Sequence, residues 1–219
     1  AVLDAARRRR TPVVYASSAA VYGCNPRCPL DETAAPLPLS AYGADKLGCE
    51  LHAAVAGHAH GVPTTGFRFF NVYGPRQNPL SPYSGVISIF CDRLLAGRSL
   101  TVYGDGEQVR DFVYVDDVVR FLIAAMEHPS VRPQVFNVCT GKPTSIRALA
   151  GLLADALGVR PSIETGPERP GDIRVSVGDP TAAGRAFGMA ASTDLRTGLA
   201  RTATSLKART IMAPAGLPN

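Results

Sequence analysis

An α/β fold with a mainly parallel, doubly wound sheet is predicted by three observations. Apolar, β-branched runs alternate with helical patterns along the 219 residues. Strand–helix–strand order of this kind feeds right-handed crossovers into one parallel sheet. A hydrophobic content of 46% over that length is enough for a sizeable core.

Each element has its own signal. Residues 2–9 read as the last turns of a helix, and TPVVYAS at 11–17 as a buried strand starting after Pro12. A Pro-rich loop at 24–41, with Asp31 and Glu32 in its middle, leads to a helical pattern over 41–60 that Gly61 and Pro63 end. TTGFRFF at 64–70 is an apolar strand running into a loop, NVYGPRQNP. SGVISIFCDRLLAG is an amphipathic helix, LTVYGDG a short strand and turn, and RDFVYV a further strand. Asp116 and Asp117 open a helix that continues through VVRFLIAAMEH, followed by the strand QVFNV. TSIRALAGLLADALG is a helix with Thr144 as its expected N-cap and Gly158 as its stop. After SIET come a Gly/Pro-rich segment and two weaker helical stretches, and from about 207 the pattern fades into what reads as a disordered tail.

Composition removes several function classes. No apolar run approaches the ~18–20 residues of a membrane span, and no cleavable leader pattern follows the run Arg7 to Arg10. The expected location is therefore cytoplasmic, with no membrane partner. An odd count of 5 cysteines argues against a disulfide framework. Cys24 and Cys28 have half of a metal-site spacing, but no second pair or histidine cluster completes it, so no metal is expected. The net charge of +5 comes from scattered arginines without interleaved aromatics, which does not make a nucleic-acid surface.

In parallel sheets ligands bind at the carboxyl ends of strands, here the loops after Ser17, Phe70 and Val138. A dinucleotide-binding sheet also carries a glycine-rich turn after its first strand and an acidic residue about 20 positions later. No such pattern lies at the start of this chain, which opens inside a helix. Either the fold lacks a dinucleotide site, or the sequence begins partway into one.

SAYGADK places Tyr42 and Lys46 at i and i+4, on one face of a helix. An ammonium beside a phenol stabilises the phenolate and makes a usable base; a surface Tyr–Lys pair is the bland alternative. Ser18, at a strand end upstream, can donate to the oxygen from which such a base takes its proton. Serines that merely end a strand are the alternative there.

Five motifs then occur in order between residue 11 and about 205: SSAAVYG, YGADK, RFFNVYGPRQ, TVYGDGEQVRDFVYVDD and RPGDIRVSVGDPTAA. Together they resemble the extended short-chain dehydrogenase/reductase superfamily, and within it the NAD-dependent nucleotide-sugar epimerases of the UDP-glucose 4-epimerase type. The resemblance implies the C-terminal portion of a Rossmann-type sheet with a smaller substrate-binding region. Residues 1–75 interleaved with 111–140 would belong to the sheet, and 76–110 with 141–206 to the substrate region.

By resemblance, Ser18, Tyr42 and Lys46 are the catalytic hydroxyl, base and lysine, and NAD is the cofactor. Tyr42 takes the proton from the sugar C4 hydroxyl while hydride passes to the nicotinamide; the keto sugar turns over and is reduced on its other face. Tyr42, Lys46 and Phe69 match cofactor-contacting positions, and Ser18, Asn71, Arg110, Arg169, Asp172 and Ser176 match positions around a UDP-sugar. Arginines suit that role, because a diphosphate is held best by bidentate cationic forks. Without the motifs, Arg110 and Arg169 would read as solvated surface charge.

Ala19 and Ala20 stand where related dehydratases carry an acidic residue. A methyl group transfers no proton, so epimerisation is the expected reaction. Ser176, at a position whose bulk limits the sugar pocket, leaves room for an N-acetyl group. Three readings stay open: an epimerase of which this is a part, a sugar-nucleotide-binding remnant without NAD, and a 4-ketoreductase. The family implies a homodimer through the YxxxK helix.

Overall fold

The computed structural model describes residues 1–79, 81 and 85–212. Its centre is a three-stranded parallel sheet of β1 (Val13–Ser18), β2 (Thr64–Phe69) and β6 (Gln134–Val138), in the order β1-β2-β6. The register aligns Ser18 with Phe69 and Phe69 with Val138, so the three carboxyl ends finish level. Helices cover both faces, as the alternating pattern requires. On one face Phe67, Phe136 and Val138 pack under α4 (Val115–Glu127) and α6 (Thr181–Phe187). The other face carries α2 (Ala41–His60), with α1 (Val2–Arg7) beside it through Ala6, Ala56 and Val62.

The α2 helix follows its sequence signals closely. Ser40 Oγ accepts from Gly43 N at 3.1 Å as the N-cap. Gly61 ends it at φ 64°, a left-handed conformation that costs glycine little.

The second region is built on β5 (Val109–Tyr114). It pairs in parallel with β3 (Asn71–Tyr73) and β9 (Val175–Ser176), and antiparallel with β7 (Pro143–Ser145). The strand at 111–114, expected with the first sheet, therefore hydrogen-bonds into this second one, and NVY is a strand rather than loop. β4 (Leu100–Tyr103) and β8 (Ile163–Gly166) form a parallel pair beside it. α3 (Val86–Leu95), α5 (Ile146–Leu157) and α7 (Leu195–Met212) close a core of Ile87, Phe90, Leu149, Leu153 and Leu199.

Two helix ends differ from expectation. The α5 N-cap is Ser145, whose Oγ accepts from Ala148 N at 3.1 Å, not Thr144. Thr144 is held extended by its pairing with Arg110, so the helix cannot begin until Ile146. The expected tail from 207 is also helical as far as Met212. Leu199, Ala203 and Leu206 bury one face of α7 in the core, and Lys207 Nζ donates to Leu157 O at 3.1 Å. Residues 213–219 lie outside the described residues, as do 80 and 82–84 in the substrate region.

Candidate active site

The first cluster of candidate residues stands at the carboxyl end of the three-stranded sheet. Ser18 terminates β1 and caps a 3-10 turn, Ala19–Tyr22, by accepting from Ala20 N at 3.2 Å. Tyr42 sits in the first turn of α2, 47% exposed. Lys46 Nζ donates to Ala16 O at 3.0 Å and lies 5.7 Å from the Tyr42 ring centroid. The ammonium is thus anchored on β1 and held over the phenol. A Cβ on Gly43 would lie 2.6 Å from Ala20 O, so glycine lets the Tyr42 turn of α2 settle directly on the turn that follows Ser18. Phe69, aligned with Ser18 on the neighbouring strand, is partly buried against the aromatic core.

Behind this edge lies a buried polar network that sequence reading missed. Arg68, in the middle of β2, forms a two-pronged pair with Glu50 of α2: Nε to Oε1 at 2.9 Å and Nη2 to Oε2 at 2.7 Å. Ser17 Oγ donates to the same Glu50 Oε1 at 2.5 Å. Arg68 Nη1 donates to Tyr22 OH at 2.9 Å, and Tyr22 OH to Asn137 Oδ1 at 2.7 Å. Burial pushes the Tyr22 phenol up to about 12, with the nearby Arg68 cation pulling the other way. Ser17, to which no catalytic role attaches, is a structural clamp: adjacent β1 residues hold successive turns of α2, Ala16 through Lys46 and Ser17 through Glu50. The signal was present as a charged residue inside the apolar run TTGFRFF.

The second cluster surrounds a cavity of about 210 Å³ lined by Phe90, Tyr103, Gln108, Arg110, Arg169 and Asp172. Arg110 Nη2 donates to Asp172 Oδ1 at 2.5 Å, and its Nη1 to Val109 O and Ile173 O at 2.8 and 2.5 Å. The Arg169 guanidinium stacks 3.7 Å from the centroid of the Tyr103 ring. Ser176 pairs with Arg110 across the β5–β9 ladder. Beside Arg110, buried Asp111 accepts from Thr140 N, Thr140 Oγ1 and Gly141 N at 2.7–2.8 Å and from Gly178 N at 3.4 Å. Burial raises its carboxyl and those donors oppose the rise. It staples the loop after β6 to the strand that carries Arg110.

The β2–β3 run joins the two clusters: Phe69 ends one strand beside Ser18, and Asn71 starts the next opposite Phe112. Among the described residues, no group of three or more His, Cys, Asp or Glu side chains is placed to hold a metal ion.

The model of the NAD dependent epimerase/dehydratase family matches residues 1–139. The chain belongs to this family. A UDP-glucose 4-epimerase of Mycolicibacterium smegmatis is 39% identical over 191 residues, covering 87% of the chain and 60% of that protein. A solved UDP-N-acetylglucosamine 4-epimerase of Methanobrevibacter ruminantium, in complex with UDP-N-acetylmuramic acid, superposes with a TM-score of 0.90 at 35% identity. The chain's share is 95% and that epimerase's is 67%. The UDP-glucose 4-epimerase of Thermotoga maritima, solved with UDP-glucose, gives the same TM-score of 0.90 and identity of 35%, with 95% of the chain and 68% of that structure covered. The chain thus spans about 60% of the length of that curated epimerase/dehydratase relative.

Proposed function

We propose that this chain carries the proton-transfer and nucleotide-sugar-binding machinery of an NAD-dependent nucleotide-sugar 4-epimerase. The observation that carries this reading is the order of groups along one connected run. A Ser–Tyr–Lys set stands at the sheet edge, Asn71 follows, and an arginine-lined cavity lies beyond, the sequence in which a hydroxyl, sugar and diphosphate occur in a UDP-sugar.

Ser18 orients the C4 hydroxyl, Tyr42 accepts its proton, and Lys46 stabilises the phenolate that accepts it. The Lys46 ammonium has three N–H donors, of which Ala16 O takes one; with the exposed Tyr42 beside it, the pair fits the ribose hydroxyls of a nicotinamide nucleotide. NAD, when bound, supplies the transient hydride sink that oxidation at C4 requires. Phe69 borders that end. Asn71, Arg110 and Arg169 hold the substrate diphosphate, and Asp172 accepts from the nucleotide ribose. Ala19 and Ala20 offer no proton for dehydration. Ser176 leaves space for an N-acetyl group, which the N-acetylated ligand of the M. ruminantium relative supports.

The test is turnover of UDP-galactose by the chain joined to a glycine-rich NAD-binding unit. Epimerisation with NAD retained is expected. Tyr42→Phe lowers it by about 10²–10⁴ without changing UDP affinity; undiminished turnover in that variant overturns the assignment. Stoichiometric NADH release favours the ketoreductase instead. UDP-GlcNAc left unconverted while UDP-glucose reacts removes the Ser176 argument.

A homodimer through α2 is supported by its exposed Leu51 and Val55, at 61% and 59% exposure, and sedimentation measures it. The cytoplasmic reading is supported by the five cysteines being free thiols, three of them exposed, as a reducing compartment allows.

A further inference from the structure

Asp172 holds two side-chain donors. Arg110 Nη2 binds Oδ1 at 2.5 Å, and Gln108 Nε2 binds Oδ2 at 3.3 Å. The second N–H of the same amide donates to Tyr103 O at 3.1 Å. Both donors of Gln108 are therefore committed to the rim of the cavity. Its Oε1, by contrast, is buried and has no hydrogen-bond partner among the described residues. A desolvated acceptor left unmade costs stability, and such a group in a native structure calls for an explanation. Flipping the amide offers no relief, since Oε1 would then face the Tyr103 carbonyl and the Asp172 carboxylate, both acceptors. The side chain is held in an orientation that serves its neighbours and not itself.

We propose that Gln108 is a positioning residue for Asp172, keeping the carboxylate aimed at the ribose hydroxyls of a bound nucleotide diphosphate. The proposal rests on the nucleotide-sugar reading above. In the structure Arg110 neutralises and orients Asp172. A diphosphate competes for that same guanidinium, because a bidentate Arg–phosphate contact is among the strongest available hydrogen-bonded pairs. Asp172 then loses its cation as an anion arrives nearby. A neutral amide is drawn to the phosphate far less, so Gln108 stays on Oδ2 and fixes the rotamer. Oδ1, released by Arg110, is left to accept from the ribose.

The experiment is calorimetric titration of the 219-residue chain with UDP and with a uridine diphosphate analogue lacking both ribose hydroxyls. Gln108→Leu removes the donors and the stranded acceptor together. It leaves Tyr103 O and Asp172 Oδ2 without this donor, and is expected to weaken UDP about three- to tenfold, while leaving the analogue's affinity unchanged. Gln108→Glu, which sets a second carboxylate against Asp172, is expected to weaken UDP more. If Gln108→Leu does not fold, Gln108→Met makes the same comparison at the original chain length. Failure of both to fold marks Gln108 as structural and overturns the proposal. So does a variant that binds UDP like the parent, or loses UDP and the analogue alike. No UDP binding by the parent chain instead overturns the nucleotide-sugar reading, and this proposal falls with it.

Discussion

Arg110 shows how a residue that looks like surface charge in the sequence becomes the centre of a site. Its side chain is 15% exposed, and burial pulls its guanidinium below the ordinary arginine range while Asp172 opposes the fall. A cation desolvated to this degree is stabilised by anions more than a solvated one. Arg110→Ala is expected to weaken UDP binding roughly tenfold to a hundredfold, the range of a lost charge-assisted hydrogen bond. It should also flatten the salt dependence of binding, since one fewer cation meets the diphosphate. Titrations at two ionic strengths check both effects. An unchanged affinity places the diphosphate elsewhere. Arg169 is expected to contribute less to the stability of the fold around the cavity, because its partner is the face of Tyr103 and not a carboxylate.

At the scale of elements, the decisive contact is between α2 and β2. Glu50 and Arg68 are 7% and 8% exposed, and each is the other's charge partner. A buried pair adds little over an apolar pair of the same shape, but removing one partner strands the other charge and costs about 3–5 kcal/mol. Arg68→Met is therefore expected to lower the melting temperature by about 10 °C, taking about 2–4 °C per kcal/mol for a chain of this size. Glu50→Gln combined with Arg68→Met should recover much of that loss, which thermal unfolding of the parent and the two variants checks. The trace of this pairing in the sequence is an arginine inside TTGFRFF and a glutamate one turn after Lys46. The helix and strand elements themselves were legible, because period and terminating residues act locally: Gly61 and Gly158 end their helices in the structure as their chemistry predicts. The second sheet was not, because it joins strands from 71, 109, 143 and 175 through pairings that no local pattern records. Thr144 was misplaced as a cap for the same reason, its conformation being set by a strand distant in sequence. Likewise the motif residues of the site stood out one by one, whereas Asp111, Gln108 and Glu50 act only through partners brought together by folding.

Across the whole molecule, the two regions share one electrostatic feature: each core encloses groups that resist losing a proton. In the first, burial raises the Tyr22 phenol to about 12, and burial with the Glu50 charge raises Tyr15 further. In the second, burial raises the Cys91 thiol to about 12 and also lifts Tyr73. Cys139 is raised by burial and by the nearby Asp111 carboxylate. In the unfolded chain these thiols and phenols titrate near their ordinary values of about 8.5 and 10. Well below pH 8 both states hold nearly all of these protons, and stability hardly depends on these groups. Above that, the unfolded state releases protons first, so the folded state binds more and stability falls as pH rises. The fall begins with the thiols, steepens near pH 10 as unfolded tyrosines ionise, and continues to about 12, where Tyr22 and Cys91 ionise in the folded state. Urea midpoints at pH 7.5, 9 and 10.5 under reducing conditions should decline in that order, with phenolate absorbance appearing together with loss of secondary structure. Tyr22→Phe removes one titrating group and should soften the decline between pH 10 and 12. A midpoint that holds steady to pH 11 would show that these side chains are open to water, and with them the network that fixes α2, with Tyr42 and Lys46, against β1.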